Sequence, residues 1–467
     1  MAIEKEPNSS NNYNVSVGGF KGLFTSLNAA LIPDGYLAAM SNVKIDNFGV
    51  AHSVYAPMQE TIATPFPAGG ITHISQPFIK YVQIGTEIYT EDGQKLSDIG
   101  SNQYPIKVIN YIDSLYFADH EAGLHAADGV IAEANAGFGD VFYCRDICVY
   151  KNRLYFAINR TIRFSHPADA SLATTWNGDN FNNFIDMKDG GQVIEFAPTG
   201  SGLVIFTYGK AFLLTEPKSG SIGEIYSGQY GPQMFMYNQH NYCDGSALYY
   251  ACWDGFYQFS PTNGLKKLSD QLNLAIYGCH VGNYDGRLWF LAFPNVVPTT
   301  GVPVLYALNM TTGAWEQYDS GPARQWTALC GGGDSIYTDS GELSLGASDS
   351  TLWSWGRAST QANIMPWTFT TKNFTPSLDC YSRPRSVKLT YAGQAVSSVA
   401  TVQLYTDGVL KDTVTFDMVG SGLYHVEKQV VADNGNSLQL VVSGTGPMEI
   451  LDCAIEFIPR HKGDANV

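Results

Sequence analysis

Four metal-capable residues stand within nine positions: His120, Glu121, His125 and Asp128, in ADHEAGLHAADG. Imidazole and carboxylate are the ligand types of zinc sites. Neighbouring residues of a strand face opposite ways, so these four would have to converge across a turn. The plainer reading is a solvated loop. Asp92, Asp113, Asp119, Asp128 and Asp254 recur at turn-like positions. Two carboxylates within several ångströms of each other are the apparatus of glycoside hydrolysis. Asp also caps turns through its own side chain, which is the structural reading of all five. The arginines of the same region, Arg145, Arg153, Arg160, Arg163, Arg287 and Arg324, are isolated. They do not form the cluster that binds an acidic sugar, and a repeated S-x-D-x-G-x-T-W box is missing.

Other motifs point to structure. CGGGD (330–334) is rich in glycine but lacks the Gly-Lys-Ser/Thr of a phosphate loop, so it reads as a strand-to-turn connection. ALNMTTGAWEQY (307–318) looks like one blade of a kelch or Trp-docked propeller and occurs once. Arg383, Arg385 and Lys388 make the densest basic patch, a candidate subunit contact. The eight cysteines (Cys144, Cys148, Cys243, Cys252, Cys279, Cys330, Cys380, Cys453) match no zinc or C-x-x-C spacing. They are expected as buried free thiols of a chain made in a reducing cytoplasm. No nucleophile–histidine–acid arrangement stands out. No catalytic, cofactor-binding or metal residues are assigned, and an enzyme is not expected.

The elements that would position such residues are short strands. In 244–269, DGSALYYACWDGFYQFSPTNGLKKLS, residues 247–252 run in, Asp254-Gly255 turns, 256–259 return, and a second turn at 261–264 leads to 265–268. Such strands bury nothing alone. Similar stretches recur, aligned on Tyr81, Leu115, Leu154, Leu203, Leu248, Leu288 and Leu352, with steps of 34, 39, 49, 45, 40 and 64. A period near 40–45 with about four strands per unit is the signature of propeller blades. Seven copies predict six to eight blades.

The expected organisation is a flexible arm over 1–17, a lead-in segment with a β-hairpin over 18–60, the propeller over 61–363 and a β-sandwich-like domain over 364–467. In the lead-in, Pro33-Asp34-Gly35 turns, 36–40 could make one helical turn, and 43–45 and 50–54 are strands. After Pro366, seven alternating strands follow (367–374, 386–392, 400–405, 409–416, 424–431, 437–443, 448–458), with hairpin signals at Asp407-Gly408 and Asn434-Gly435. Residues 377–384 read as a hinge between modules. The fold class is all-β.

Composition narrows the partners. Of 467 residues 45% are hydrophobic and only 15% charged, against roughly 25% in average domains, with 47 Gly, 28 Tyr and 24 Phe. Little charge and many tyrosines suit a surface covered by neighbours. The net charge is −16; residues 364–467 carry 8 Lys+Arg and 10 Asp+Glu, which leaves −14 on the rest. That sign opposes nucleic-acid binding, which needs cations. Residues 1–20 lack the apolar core of a secretory signal, and no apolar run is long enough to span a bilayer.

Three stretches resemble the tail nozzle, or hub, proteins of short-tailed bacteriophages. One is GFKGLFTSLNAALIPDGYLAAMSNVKIDNFGV in the lead-in. A second is IRFSHPADASLATTWNGDNFNNFIDMKDGGQVIEFAPTGSGLVIFTYGKAFLL (162–214). The third runs from Tyr230-Gly231-Pro232 through WDGFYQFSPTNGLKKLSDQL (253–272), and WTFTTKNF with RPRSVKLTYAG fits the same pattern. Where the family often carries Arg-x-Gly after the lead-in hairpin, this chain has AHSVYAP (51–57). The resemblance implies a virion structural protein in the tail, made in the host cytoplasm. It would form a ring of self-copies, a homohexamer, below portal and adaptor. Its partners would be the adaptor, tail fibres or tailspikes, and genomic double-stranded DNA that passes without sequence-specific binding. No cofactor and no membrane insertion are implied. Acidic walls would repel the passing phosphates. Two alternatives share the all-β fold. A carbohydrate- or receptor-binding propeller would show aromatic pockets on one face. A propeller hydrolase would show paired carboxylates of perturbed pKa at its axis.

Overall fold

The computed structural model describes residues 4–5, 13–76, 79–98, 107–111, 114–119, 123–126, 129–130, 144–165, 184–187, 191–216, 222–228, 231, 240–294, 302–319, 325–331, 342–355, 364–375 and 380–461. Every element among them is a strand.

Seven four-stranded antiparallel sheets follow one another along the chain. Consecutive sheets touch through their first strands, those of blades 1 and 2 by the hydrogen bond from Ser75 Oγ to Val108 O, so the first strands line a common axis. This is a seven-bladed propeller. The first strands of blades 1 to 7 are His73–Ser75, Lys107–Tyr111, Cys144–Tyr150, Val193–Thr199, Tyr242–Cys243, Gly278–Tyr284 and Trp326–Gly331. The second strands are the apolar ones. Arg153–Ile158, Gly202–Thr207 and Arg287–Phe293 are buried along their whole length, because each lies between two strands of its own blade and is sandwiched by neighbouring blades.

The seventh blade lacks a fourth strand of its own. Met58–Gln59 supplies it from upstream, pairing with Leu352–Trp355, so the ring closes on a strand taken from the lead-in segment. Lys80, 3% exposed, clamps this closure through Glu60 at 2.5 Å and Glu342 at 2.6 Å. The propeller thus begins at 58 rather than 61. One of the seven aligned positions also moves. Six fall in second strands, whereas Leu352 lies in the third strand of blade 7; the equivalent second strand is Leu343–Ala347. In blade 5, the residues at the corner of the tight turn are Trp253 and Asp254, because Gly255 already pairs with Cys252.

All seven expected C-terminal strands are present, and they form a sandwich with help from the N-terminus. One sheet holds Tyr13–Gly18, Glu449–His461, Cys380–Ala392 and Leu423–Gln429, extended by the hairpin Val43–Ile45 with Ala51–Ser53. The other orders Leu37–Ser41, Trp367–Thr371, Leu438–Gly444, Val399–Thr406 and Val409–Asp417.

Four expectations are corrected. The arm 1–17 is not all flexible: Tyr13–Gly18 is a strand against Glu449–His461, held by Val15 and Val17 in the core. Leu37–Ser41 is a strand rather than part of a helical turn over 36–40, because Leu37 and Met40 are buried and the strand pairs with Trp367–Thr371. The supposed hinge 377–384 runs into the strand Cys380–Ala392, and Pro384 is accommodated at its bulge. Asn434-Gly435 is not a tight hairpin, because the strands on either side, Leu423–Gln429 and Leu438–Gly444, belong to different sheets. Asp407-Gly408 does turn a hairpin, with φ of 49° and 77°.

The two modules share one core. Phe20, Leu37 and Phe369 of the sandwich belong to the same buried cluster as Phe256, Phe290 and Trp315 of blades 5 and 6. Across the seam, Leu23 N–H donates to Trp315 O (2.8 Å) and Asn42 N–H to Gln317 O (2.9 Å). At its centre Glu316, wholly buried, accepts from Arg287 Nε (2.9 Å), Ile45 N–H (2.8 Å) and Tyr318 Oη (2.7 Å). Arg287 donates onward to Ile45 O (2.9 Å).

Candidate functional site at the propeller axis

Six ionisable residues sit in corresponding places near the axis: His73, Lys107, Asp146, Glu195, His240 and His280, one per blade from 1 to 6. Each lies eight residues before its repeat's aligned position, Tyr81, Leu115, Leu154, Leu203, Leu248 and Leu288. The spacing holds because in these blades the first and second strands are joined by short turns. Five of the six fall in the first half of a first strand, and His240 is bridged to His280 just before its own. Blade 7 breaks the rule, since its first two strands are separated by a longer connection.

The ring divides into two groups. In blades 2 to 4, Lys107 Nζ meets Asp146 Oδ1 at 2.6 Å and Glu195 Oε1 at 3.5 Å. Asp146 is buried, and its oxygens also accept from the N–H groups of Ile147 (2.8 Å) and Phe196 (2.5 Å). Asn241 Nδ2 donates to Glu195 Oε2 at 3.2 Å. In blades 5, 6 and 1, the rings of His240, His280 and His73 pack edge to face, with centroids 4.7, 5.6 and 6.1 Å apart. Leu329 N–H donates to His280 Nδ1 at 3.1 Å, which places a neutral ring's proton on Nε2. His73 and His280 are buried, whereas Lys107 and Glu195 keep 24% and 16% of their side chains exposed, so side chains meet at the axis at this level.

Burial sets the electrostatics. It pushes Glu195 up to about 7; repulsion from Asp146 adds to the shift and Lys107 opposes it. Burial also raises Asp146, again against the pull of Lys107. Burial alone would lower Lys107, but Asp146 and Glu195 outweigh it and hold the ammonium above its ordinary range. Burial carries the Cys148 thiol well up and Cys243 to about 11, so neither is a thiolate nucleophile near neutrality.

A hydrolytic pair needs one carboxyl free to attack or to activate water, and space for substrate between the two. Here Lys107 bridges Asp146 and Glu195, and Asp146 has both oxygens engaged. The cluster is built to tie blades 2, 3 and 4 together. The ring sets one ammonium, Lys107, between two carboxyls that burial pushes towards the neutral form, so it is no acidic wall.

The residues singled out by sequence lie elsewhere. Asp254 accepts from Tyr257 Oη (3.0 Å) and pairs with Lys267 (2.8 Å), a local turn use. Asp92 sits exposed in a turn. Arg153 donates to Ser165 O (2.7 Å), Arg160 pairs with Asp186 (3.2 Å), and Arg287 holds the seam between modules. Arg163 is buried enough for its pKa to fall. Arg383 and Arg385 are exposed, whereas Lys388 meets Glu456 at 3.1 Å. Cys330 and Gly331 end the first strand of blade 7, as a strand-to-turn connection would. His120, Glu121, Asp113, Asp128, Arg324 and residues 332–334 lie outside the described residues, as do the side chains of Asp119, His125, Cys144 and Arg145. Among the described residues no three His, Cys, Asp or Glu side chains are grouped to hold a metal. Cys148, Cys252, Cys279, Cys330 and Cys453 are buried free thiols; Cys243 and Cys380 are half-buried ones.

No family model matches the chain, and no curated protein matches it. Among solved structures it is similar to the extracellular domain of the putative hybrid two component system BT4673 from B. thetaiotaomicron, at 11% identity and a TM-score of 0.43, over 90% of this chain and 63% of that one. It is also similar to BBS1N in complex with ARL6DN, at 12% identity and a TM-score of 0.39, over 66% of this chain and 99% of that one. A third is an exo-beta-1,3-galactanase from Phanerochaete chrysosporium, at 11% identity and a TM-score of 0.23, over 85% of this chain and all of that one. The all-β propeller is established by this chain's own strand order.

Proposed function

We propose that this chain is a non-catalytic structural protein, the nozzle or hub of a short-tailed phage tail, acting as one segment of a six-copy ring that retains and then conducts DNA. The observation that carries this reading is the lead-in segment. Its residues bear the family resemblance, and the same peptide enters both sandwich sheets, seals the seam with blade 6 and closes blade 7. The side chains that meet at the axis favour a DNA path between chains of the ring over one through a single propeller. The acidic balance of residues 1–363 suits walls that phosphate does not grip. The test is mass in solution together with negative-stain images, with portal and adaptor added. Rings are expected. A chain that stays single in their presence would sink the proposal.

A carbohydrate-active propeller is the second reading, favoured by two observations. Glu195, raised to about 7, lies beside Asp146 at the axis. Tyr208 and Trp253 occupy equivalent turns of blades 4 and 5 and are 60% and 59% exposed. A glycan array and a hydrolysis screen separate the two. Turnover that disappears in Glu195→Gln, or binding that disappears in Trp253→Ala, would favour this reading over the nozzle.

A further inference from the structure

The sandwich meets the propeller along one flank, through Leu37–Ser41 and Val43–Ile45 against Trp315–Tyr318. Its opposite flank is made of the last strand of each sheet, Leu423–Gln429 and Val409–Asp417. Among the described residues neither has a neighbour on its outer side. The core runs out there uncovered. Val414, Tyr424 and Val426 pack against it but are only partly buried. Val409, Leu410, Val419, Leu423 and Val431 are 45% to 86% exposed. An unpaired edge beside apolar side chains is a template for another strand.

The edge sequence LYHVEKQ selects that strand, because it complements its own reverse. Antiparallel pairing of two copies about Val426 sets His425 opposite Glu427, Tyr424 opposite Lys428 and Val426 opposite itself. The core-side layer then continues across the junction. Tyr424 already stacks on Tyr391 (5.5 Å between centroids), and Lys428 lies over the Phe416 ring at 5.6 Å. Centring the pair on Glu427 would oppose two carboxylates, and centring it on His425 would oppose two imidazoles. A shift of one residue would set core-facing against outward-facing side chains. The Val426 register keeps the two faces in phase and sets both His425–Glu427 pairs in hydrogen-bonding positions.

We propose that Leu423–Gln429 is a self-recognition edge, by which two copies of this chain join their seven-stranded sheets antiparallel across a two-fold axis centred on Val426. The contact is isologous and stands independently of the six-copy ring.

Sedimentation over a concentration series reads it, with hydrogen exchange of residues 423–429 alongside. The expected result is reversible pairing that slows exchange at this edge. Glu427→Lys sets Lys against His425 twice across the dyad and should weaken pairing about tenfold. Adding His425→Glu should restore it. Within one chain Glu427 lies 3.8 Å from Lys388 and His425 3.0 Å from Thr390, so a circular dichroism melt of each variant is run alongside, and an unchanged melt separates lost pairing from lost folding. A single-chain mass throughout, pairing indifferent to Glu427→Lys, or failure of the double exchange to rescue would each overturn the proposal. Loss of rings with pairing intact would count against the nozzle alone.

Discussion

Glu316→Ala is the sharpest perturbation of how the two modules are joined. Glu316 is fully buried, and its two oxygens accept from Arg287 Nε and Nη2, Ile45 N–H and Tyr318 Oη at 2.7 to 3.1 Å. Truncation removes four charge-assisted hydrogen bonds. It also leaves Arg287, 5% exposed, without its main counter-charge. Breaking one side of a buried pair costs about 3–5 kcal/mol, mostly because the remaining charge is stranded. The same seam contains its own control. Lys44 pairs with Asp285 at 2.6 Å, but the two side chains are 37% and 51% exposed. Lys44→Ala should therefore cost under about 1 kcal/mol. Denaturant unfolding followed by tryptophan fluorescence and by circular dichroism measures both. A large chain need not unfold in one step, so the coincidence of the two probes is itself a readout. The expectation is one transition in the parent and two in Glu316→Ala, as sandwich and propeller part. A loss below about 1 kcal/mol, or equal losses in both variants, would refute the argument that burial makes this pair matter.

The remaining predictions concern the axis, the closure and the seam. Glu195 has a folded pKa raised from 4.5 to about 7, so its contribution to stability is fully present below 4.5 and is lost as pH rises through 7. Parent stability should fall between those values by at most about 3 kcal/mol, and Glu195→Gln should flatten the slope; parallel pH profiles would contradict this. Lys80→Met leaves Glu60 and Glu342 facing each other in the ring closure. It should cost about 3–5 kcal/mol and speed hydrogen exchange in Met58–Gln59 and Leu352–Trp355 before other strands; uniform exchange would be the contrary result. Gly22→Ala requires a side chain at φ +95° and puts its Cβ 2.6 Å from Trp315 O. A loss of more than about 2 kcal/mol is expected in denaturant melts, and a neutral substitution would show that the seam can open.

The propeller is legible because its second strands are predominantly apolar and are followed by turns, so the repeat has a strong signal. Blade 7 was misaligned onto Leu352 because its own second strand, LSLGA, is short and carries small residues. The closing strand was invisible for a different reason. Met58–Gln59 is only two residues long, and its partner lies almost three hundred residues away. The strand Tyr13–Gly18 was missed although Val15 and Val17 alternate correctly, since a polar N-terminus reads as an arm until Glu449–His461 is beside it. The axial ring left no motif. Its six members are three histidines, a lysine, an aspartate and a glutamate, and only their fixed offset from the aligned apolar residues connects them, a signal of register rather than of chemistry.

That offset also explains why paired, pKa-shifted carboxylates need not mean catalysis here. In a propeller every first strand converges on one axis, so a polar residue at one register position is brought beside its counterparts by the fold itself. Such a residue must find a partner or distort the blades. Lys107 partners Asp146 and Glu195, and the three histidines pack on each other. In both groups these contacts link neighbouring blades at the axis. The lead-in peptide acts likewise on the larger scale. Modules joined by one linker move relative to each other unless the interface is large and apolar. Here the core is continuous, the central ion pair is buried, and residues 13–59 belong to both modules at once. The two modules should therefore move as one body, and a variant that opens the seam, such as Glu316→Ala, should let them move apart.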